Sequence, residues 1–159
     1  MFENVLVGID RHQGGRDALA LAKRVAEPGG QLTLAYVYPG DSRLRPDSAL
    51  AYGRMRQERA LELLADVRDQ AGVDAELRYA EASSPGRGLH ALAVAIGADV
   101  LVVGSSRRGR VGGLLLGDDT RAALSGAPCP VAIAPAGYSQ KRADGTFTTT
   151  QAKEPNVRT

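Results

Sequence analysis

The stretch Val102-Val103-Gly104-Ser105-Ser106-Arg107-Arg108-Gly109-Arg110-Val111-Gly112-Gly113-Leu114-Leu115-Leu116-Gly117-Asp118-Asp119-Thr120 decides how this chain folds. An apolar run enters a Gly- and Arg-rich loop, and the loop enters a helix start. Strand, Gly-rich loop and helix N-terminus in that order form the anion cradle of open α/β proteins, where free backbone N–H groups and the helix dipole face a ligand. Two positions strain that reading. Arg107 and Asp118 stand where such a loop is expected to carry Gly and Ser or Thr.

Upstream, the same alternation repeats. Asn4 to Ile9 reads as a buried strand that ends at Asp10. Gly14-Gly15 mark a loop, and Arg16 to Ala26 carries Leu19, Ala22 and Val25 at helical spacing, with Ala18 beside them. Pro28-Gly29-Gly30 is expected to stop that helix, and Leu32 to Tyr38 forms the second strand, closed by Pro39-Gly40. A polar, breaker-rich connection over 41–46 leads to a long amphipathic helix, about Ser48 to Ala71, with Met55, Leu61, Leu64 and Val67 on its apolar face. Asp74 to Ala80 is a more polar third strand, suited to a sheet edge. Ser84-Pro85 opens a third helix with the core stripe Leu89, Leu92, Ala93 and Ile96, and Gly97 closes it.

Downstream of these, Asp99 to Val103 is the fourth strand, Asp118 to about Ser125 a short fourth helix and Val131 to Ala134 the fifth strand. Five strands alternating with helices predict an α/β fold: a doubly wound five-stranded parallel sheet with helices on both faces. Right-handed crossovers restrict the strand order to 3-2-1-4-5. The switch point then lies between the first and fourth strands, beyond their carboxyl ends, where Asp10 and Gly104 meet.

Composition sets the remaining bounds. A chain of 159 residues with 43% hydrophobic and 24% charged residues is expected to be one globular domain. That domain spans 1–138, followed by a polar tail over 139–159 with no apolar period, expected to be disordered. The start of the chain carries no secretory pattern and no apolar run reaches the ~20 residues of a membrane span, so the cytoplasm is the default and no membrane partner is expected. The net charge of +2, with Lys141, Arg142, Lys153 and Arg158 against Asp144 and Glu154 in the tail, announces no nucleic-acid surface. The one cysteine, Cys129, excludes an internal disulfide and a Cys-rich metal site, and reads as a small buried hydrophobe.

Taken in order, Val5-Leu6-Val7-Gly8-Ile9-Asp10, Ala98-Asp99-Val100-Leu101-Val102-Val103-Gly104-Ser105, Leu114-Leu115-Leu116-Gly117 and Ala127-Pro128-Cys129-Pro130-Val131-Ala132-Ile133 closely resemble the universal stress protein family over roughly residues 2 to 136. The resemblance implies a Rossmann-like, adenine nucleotide alpha hydrolase-like fold. The nucleotide-binding branch of that family carries G-x2-G-x9-G-(S/T) after the fourth strand. Gly104 and Gly117 match its first and third glycines, while Arg107 replaces the second and Asp118 replaces the Ser/Thr. The resemblance further implies that Asp10 lies near the adenosine, that the Val37 backbone contacts adenine, and that the chain forms a homodimer through the last strand, Val131 to Pro135.

Each departure has a physical meaning. Arg at a position that needs a left-handed backbone costs on the order of 1–2 kcal/mol, although Gly109, Gly112 and Gly113 offer the loop other paths, and Arg107, Arg108 and Arg110 suit a phosphate approached from the side. Asp118 at a helix N-terminus supplies the protein's own anion to the free N–H groups. A phosphate within ~4 Å of it meets repulsion of ~4 kcal/mol at an effective dielectric near 20. Paired with Asp119 it has the chemistry of a Mg²⁺ ligand, but adjacent carboxylates at a helix start ordinarily serve as caps, so a metal is the weaker reading. Ser105 and Ser106 carry hydroxyls suited to an anion, as many loop serines do. Asp10 is as well suited to capping a turn as to a ribose hydroxyl. His12 reads as a surface residue and His90 as a residue beside a helix core stripe.

These residues support three functions. The first is a stress-response, nucleotide-sensing module that binds an adenine nucleotide, ATP or AMP, through Asp10, Val37, Gly104, Ser105, Arg107, Gly109, Gly117 and Asp118, with the adenosine half favoured and the triphosphate weakened. The alternative is a nucleotide-free dimeric interaction protein of the same family. An enzyme is the weakest reading, because the chain has no complete P-loop Lys-Ser/Thr pair, no general base in a telling setting and no nucleophile triad.

Overall fold

The structure, a computed structural model, describes residues 1–40, 46–105 and 118–143, without the side chains of 46–47, 118–119 and 141–143. Its elements run β1 (Phe2–Gly8), α1 (Gln13–Val25), β2 (Ala26–Pro39), α2 (Pro46–Ala71), β3 (Glu76–Ala82), α3 (Pro85–Ile96), β4 (Val100–Gly104), α4 (Asp118–Leu124), β5 (Val131–Ala134) and α5 (Tyr138–Ala143). All five strands are parallel, in the order β3-β2-β1-β4-β5. This is the doubly wound sheet expected from the alternation, with β3 and β5 at its edges. Among the described residues no helix is long and apolar enough to cross a membrane.

The period-2 alternation of the central strands divides the core into two layers. Val5, Val7 and Ile9 of β1 and its extension, with Val100 and Val102 of β4, face Ala18, Leu19 and Ala22 of α1 and Leu64 of α2. Leu6, Leu101 and Val103 point the other way, onto Leu89 and Ala93 of α3 and Ala123 of α4. Both faces of the sheet are therefore covered, as near-continuous apolar strands require. The α3 stripe lies where its spacing placed it. Ser84 accepts a hydrogen bond from the Arg87 amide, Pro85 opens the helix and Gly97 ends it in the left-handed conformation at φ 62°.

Four differences from the sequence reading have a clear physical reason or consequence. Helix α1 begins at Gln13, so Gly14 and Gly15 lie buried in its first turn and not in a loop. Strand β2 begins at Ala26, and Pro28-Gly29-Gly30 sit inside it as an irregularity. Phe2 pairs with Ala26 and Asn4 with Gln31, leaving 27–30 opposite Glu3 alone. Gly29 absorbs the excess chain at φ 81°, the service a glycine gives a bulge. Leu61 of α2, expected on the packed face, is exposed, and Ala60 and Leu64 are buried in its place.

The fourth difference is α5. The expected tail begins inside it, at 139. The Asp17 carboxylate of α1, only 1% exposed, accepts hydrogen bonds from the Gly137 amide at 2.8 Å, the Ser139 amide at 2.8 Å and the Ser139 hydroxyl at 2.7 Å. It thereby takes the free N–H groups at the start of α5, which a helix of one and a half turns otherwise leaves to water.

Candidate functional site

The parallel strands all end on one side of the sheet, and the order reverses between β1 and β4. A crevice of about 300 Å³ opens there, at the small end of the ~300–1,000 Å³ usual for ligand pockets. Gly8 and Ala35 form its floor. Val37, Pro85, Leu89 and Val103 make apolar walls, and Asp10, Arg11, His12, Tyr36, Gly104 and Thr120 stand around it. Small residues let the elements around it pack closely. A Cβ on Gly8 would come within 3.0 Å of the Leu89 side chain, and one on Gly88 within 2.5 Å of Val37.

Asp10 emerges from the end of β1 and organises the turn into α1. Its Oδ1 accepts the His12 and Gly15 amides, both at 2.9 Å. His12, the N-cap, makes no side-chain cap of its own, so Asp10 does that work from two residues upstream. Glycine is required at 15 because a Cβ there would lie 2.9 Å from the Asp10 amide nitrogen. The capping reading of Asp10 is therefore fulfilled through one oxygen. Among the described residues Oδ2 accepts no hydrogen bond, and Asp10 lines the crevice.

Gly104 is glycine for a reason the sequence did not disclose. A Cβ on it would collide with the Gly14 carbonyl group of α1. The pair lets α1 pack directly against the end of β4, a close backbone approach that is independent of any phosphate. The Gly104 carbonyl accepts the Thr120 hydroxyl at 3.1 Å, tying the first turn of α4 to β4.

Of the residues singled out from sequence, the crevice brings Asp10, Val37 and Gly104 together. Ser105 is buried beside them, with its amide donating to the Ala134 carbonyl at 2.8 Å, and it does not line the crevice. Arg107, Gly109 and Gly117 lie outside the described residues. Asp118 begins α4, but its side chain and that of Asp119, with the Mg²⁺ reading attached to them, lie outside the description. His12 is exposed, as read, and His90 shares a 2.7 Å hydrogen bond between Nε2 and the Ala123 carbonyl.

Among the polar residues that line the crevice, Arg11, Tyr36 and Thr120 escaped the sequence reading. Arg11 follows Asp10 directly at the switch point, a position that could have drawn attention. Its Nε donates to the Tyr36 hydroxyl at 3.2 Å, and its guanidinium carbon stands 5.9 Å from the Tyr36 ring centroid. Cys129 is half-buried against the α3–α4 side of the sheet. Burial raises its thiol pKa, and the Asp99 carboxylate adds to that rise, so the nucleophilic thiolate is suppressed.

Comparison with known proteins agrees with this architecture. The family model of universal stress proteins matches residues 1–135. A curated relative from Thermus aquaticus, the universal stress protein in the QAH/OAS sulfhydrylase 3′ region, is 29% identical over 135 residues, covering 84% of this chain and 98% of its own. The crystal structure of a universal stress protein in complex with cAMP superposes with a TM-score of 0.59 at 25% identity, covering 85% of this chain and 98% of that one. The structure of the universal stress protein from Archaeoglobus fulgidus in complex with dAMP superposes with a TM-score of 0.58 at 16% identity, covering 82% and 96%. The chain belongs to the universal stress protein family.

Proposed function

We propose that the crevice binds an adenine nucleotide and that the protein acts as a nucleotide-sensing module. The observation that carries this reading is the convergence of Asp10, Val37 and Gly104 on one concavity at the switch point. Apolar walls suit the faces of a base, and Asp10 Oδ2 suits a ribose hydroxyl. The relatives solved with cAMP and dAMP support the choice of an adenine ligand. The adenosine and monophosphate part is favoured over the triphosphate, because Arg107 and Asp118 alter the loop that a longer phosphoryl chain would use.

A second reading follows from Gly104. Its glycine is already explained by packing against Gly14, so this part of the motif persists in a protein that binds no nucleotide and serves as an interaction module. The proposed assembly is a homodimer in either case, formed along β5, which has no strand beyond it among the described residues.

Calorimetric titration with adenosine, AMP, ADP and ATP separates the two readings. The nucleotide reading predicts heat with AMP and a weaker response to ATP, with ATP affinity raised by Asp118→Ser combined with Arg107→Gly. No heat from any of the four, and none gained in that double variant, leaves the interaction module as the function.

A further inference from the structure

Two concavities flank the connection between β1 and α1. One is the crevice. The other, of about 320 Å³, lies on the side of α2 and is lined by Gln13, Arg16, Leu63 and Val67, and 9–12 line both. The connection is thus a ridge, and the ridge is basic: Arg11, His12 and Arg16 are all exposed on it. Among the described residues the ion pairs are Arg68–Asp69 and Arg78–Glu76, so Arg11 and Arg16 have no acidic partner there. Asp10 stands beside Arg11 with Oδ1 committed to the His12 and Gly15 amides, and it forms no ion pair with Arg11 among the described residues.

Arg11 is also held in place. The hydrogen bond from its Nε to the Tyr36 hydroxyl holds the group beside Tyr36, and both residues line the crevice. Only Nε is used in this way. The two terminal nitrogens, which carry the donor fork of a guanidinium, have no hydrogen-bond partner among the described residues. An oriented, unpaired guanidinium is preorganised for an anion and matches the oxygens of a phosphate two at a time. The apolar walls of the crevice, Val37, Pro85, Leu89 and Val103, take no part in binding charge.

We infer that Arg11, positioned by Tyr36, binds the phosphate of a nucleoside monophosphate in this crevice. The connection after β1 then takes over the anion-binding duty that Arg107 and Asp118 compromise in the segment after β4. The inference rests on the reading that the crevice takes an adenine nucleotide, and it adds the phosphate-binding residue and the preference for a single phosphate.

The test is calorimetry with adenosine and AMP on the full chain at low and moderate salt. Wild type is expected to bind AMP about tenfold or more tightly than adenosine, the difference one well-made charged contact supplies, and the gap narrows as salt rises. Arg11→Ala closes the gap while adenosine affinity stays within about twofold. Arg11→Lys restores part of it, because an ammonium lacks the fork. Tyr36→Phe keeps the ring, removes the hydroxyl and narrows the gap, with circular dichroism unchanged. Equal affinities for AMP and adenosine in wild type overturn this inference and leave adenine binding standing. So does a gap that survives Arg11→Ala and vanishes when Arg107, Arg108 and Arg110 become alanine, which assigns the phosphate to the segment after β4. No heat from either ligand overturns the inference together with the reading beneath it.

Discussion

Two carboxylates on either side of one helix start, Asp10 and Asp17, do the same job in opposite ways. Each takes up backbone amides at the beginning of a helix. Asp10 is exposed, reaches only to His12 and Gly15, and uses one oxygen. Asp17 is buried, reaches across the chain to Gly137 and Ser139, and uses both oxygens. The difference separates a structural carboxylate from one that keeps a function. Asp17 has nothing left to offer a ligand, while Asp10 holds its turn and retains an acceptor at the crevice.

The largest effect is expected from removing the buried member of the pair. Asp17→Ala leaves two amides and a hydroxyl without their acceptor and detaches α5, at a cost of about 3 kcal/mol. Urea unfolding measures the loss, and hydrogen exchange should show the Ser139 amide released while the amides of β1 and β4 remain protected. An unchanged urea midpoint would mean that α5 is not held by Asp17. Asp17→Ala should leave AMP affinity nearly unaltered.

Gly104→Ala comes next. The added methyl group must displace the Gly14 carbonyl, and overpacking of this kind costs about 1–3 kcal/mol. The strain falls between α1 and β4 at the crevice, so this variant should lose both stability and AMP binding. A fully stable Gly104→Ala protein would show that α1 and β4 do not approach as closely as the Gly14–Gly104 contact requires.

Asp10→Asn sharpens the contrast with Asp17. An amide oxygen still accepts the His12 and Gly15 amides, so stability should fall by less than about 1 kcal/mol. Nucleotide affinity should fall about tenfold, since the second carboxylate oxygen becomes an NH2 group that donates and no longer accepts. If stability falls as far as in Asp17→Ala and binding is spared, the two carboxylates are of one kind.

The smallest effect concerns Cys129. With its thiol pKa pushed up by burial and by Asp99, little thiolate exists near neutral pH, and alkylation should be slower than for an exposed cysteine. The sign for stability follows: a raised folded pKa contributes stability below the unfolded value and loses it as pH rises through the folded one. Cys129→Ser should therefore flatten a slight decline in stability above about pH 9. Alkylation at the rate of a free thiol would contradict the burial of this side chain.

The contrast between Asp10 and Asp17 also marks what the sequence could tell. The strands, the helix stripes and the α3 caps were legible because they depend on local periodicity and on residues a few positions apart, and the strand order followed from the handedness of the crossovers. Asp10 belongs to that class. Asp17 does not, because its partners lie about 120 residues away and an Asp within a helical pattern carries no sign of them. For the same reason the polar run after Tyr138 read as tail: α5 draws its stability from a carboxylate elsewhere in the chain. Pro28-Gly29-Gly30 misled in the opposite direction, since breakers that end a helix also build a bulge inside a strand, and only the pairing of β1 with β2 decides between them. At the site, the meeting of Asp10 and Gly104 was legible from topology, and Val37 from the family resemblance. The cause of glycine at 104 was not, because it lies in the backbone of α1. Arg11 acquires its significance only through Tyr36, which approaches it from the neighbouring strand.

The measurement that tests the account most directly is the amide spectrum of the isotopically labelled protein during titration with AMP. The account predicts perturbations centred on Gly8 to His12, on Tyr36 and Val37, and on Gly104 and Thr120, with β3 and the N-terminal ends of the strands unmoved. A spectrum that stays unchanged at saturating AMP, or that shifts along the β5 edge and leaves Asp10 and Val37 in place, would contradict the claim that the crevice at the switch point is a nucleotide site.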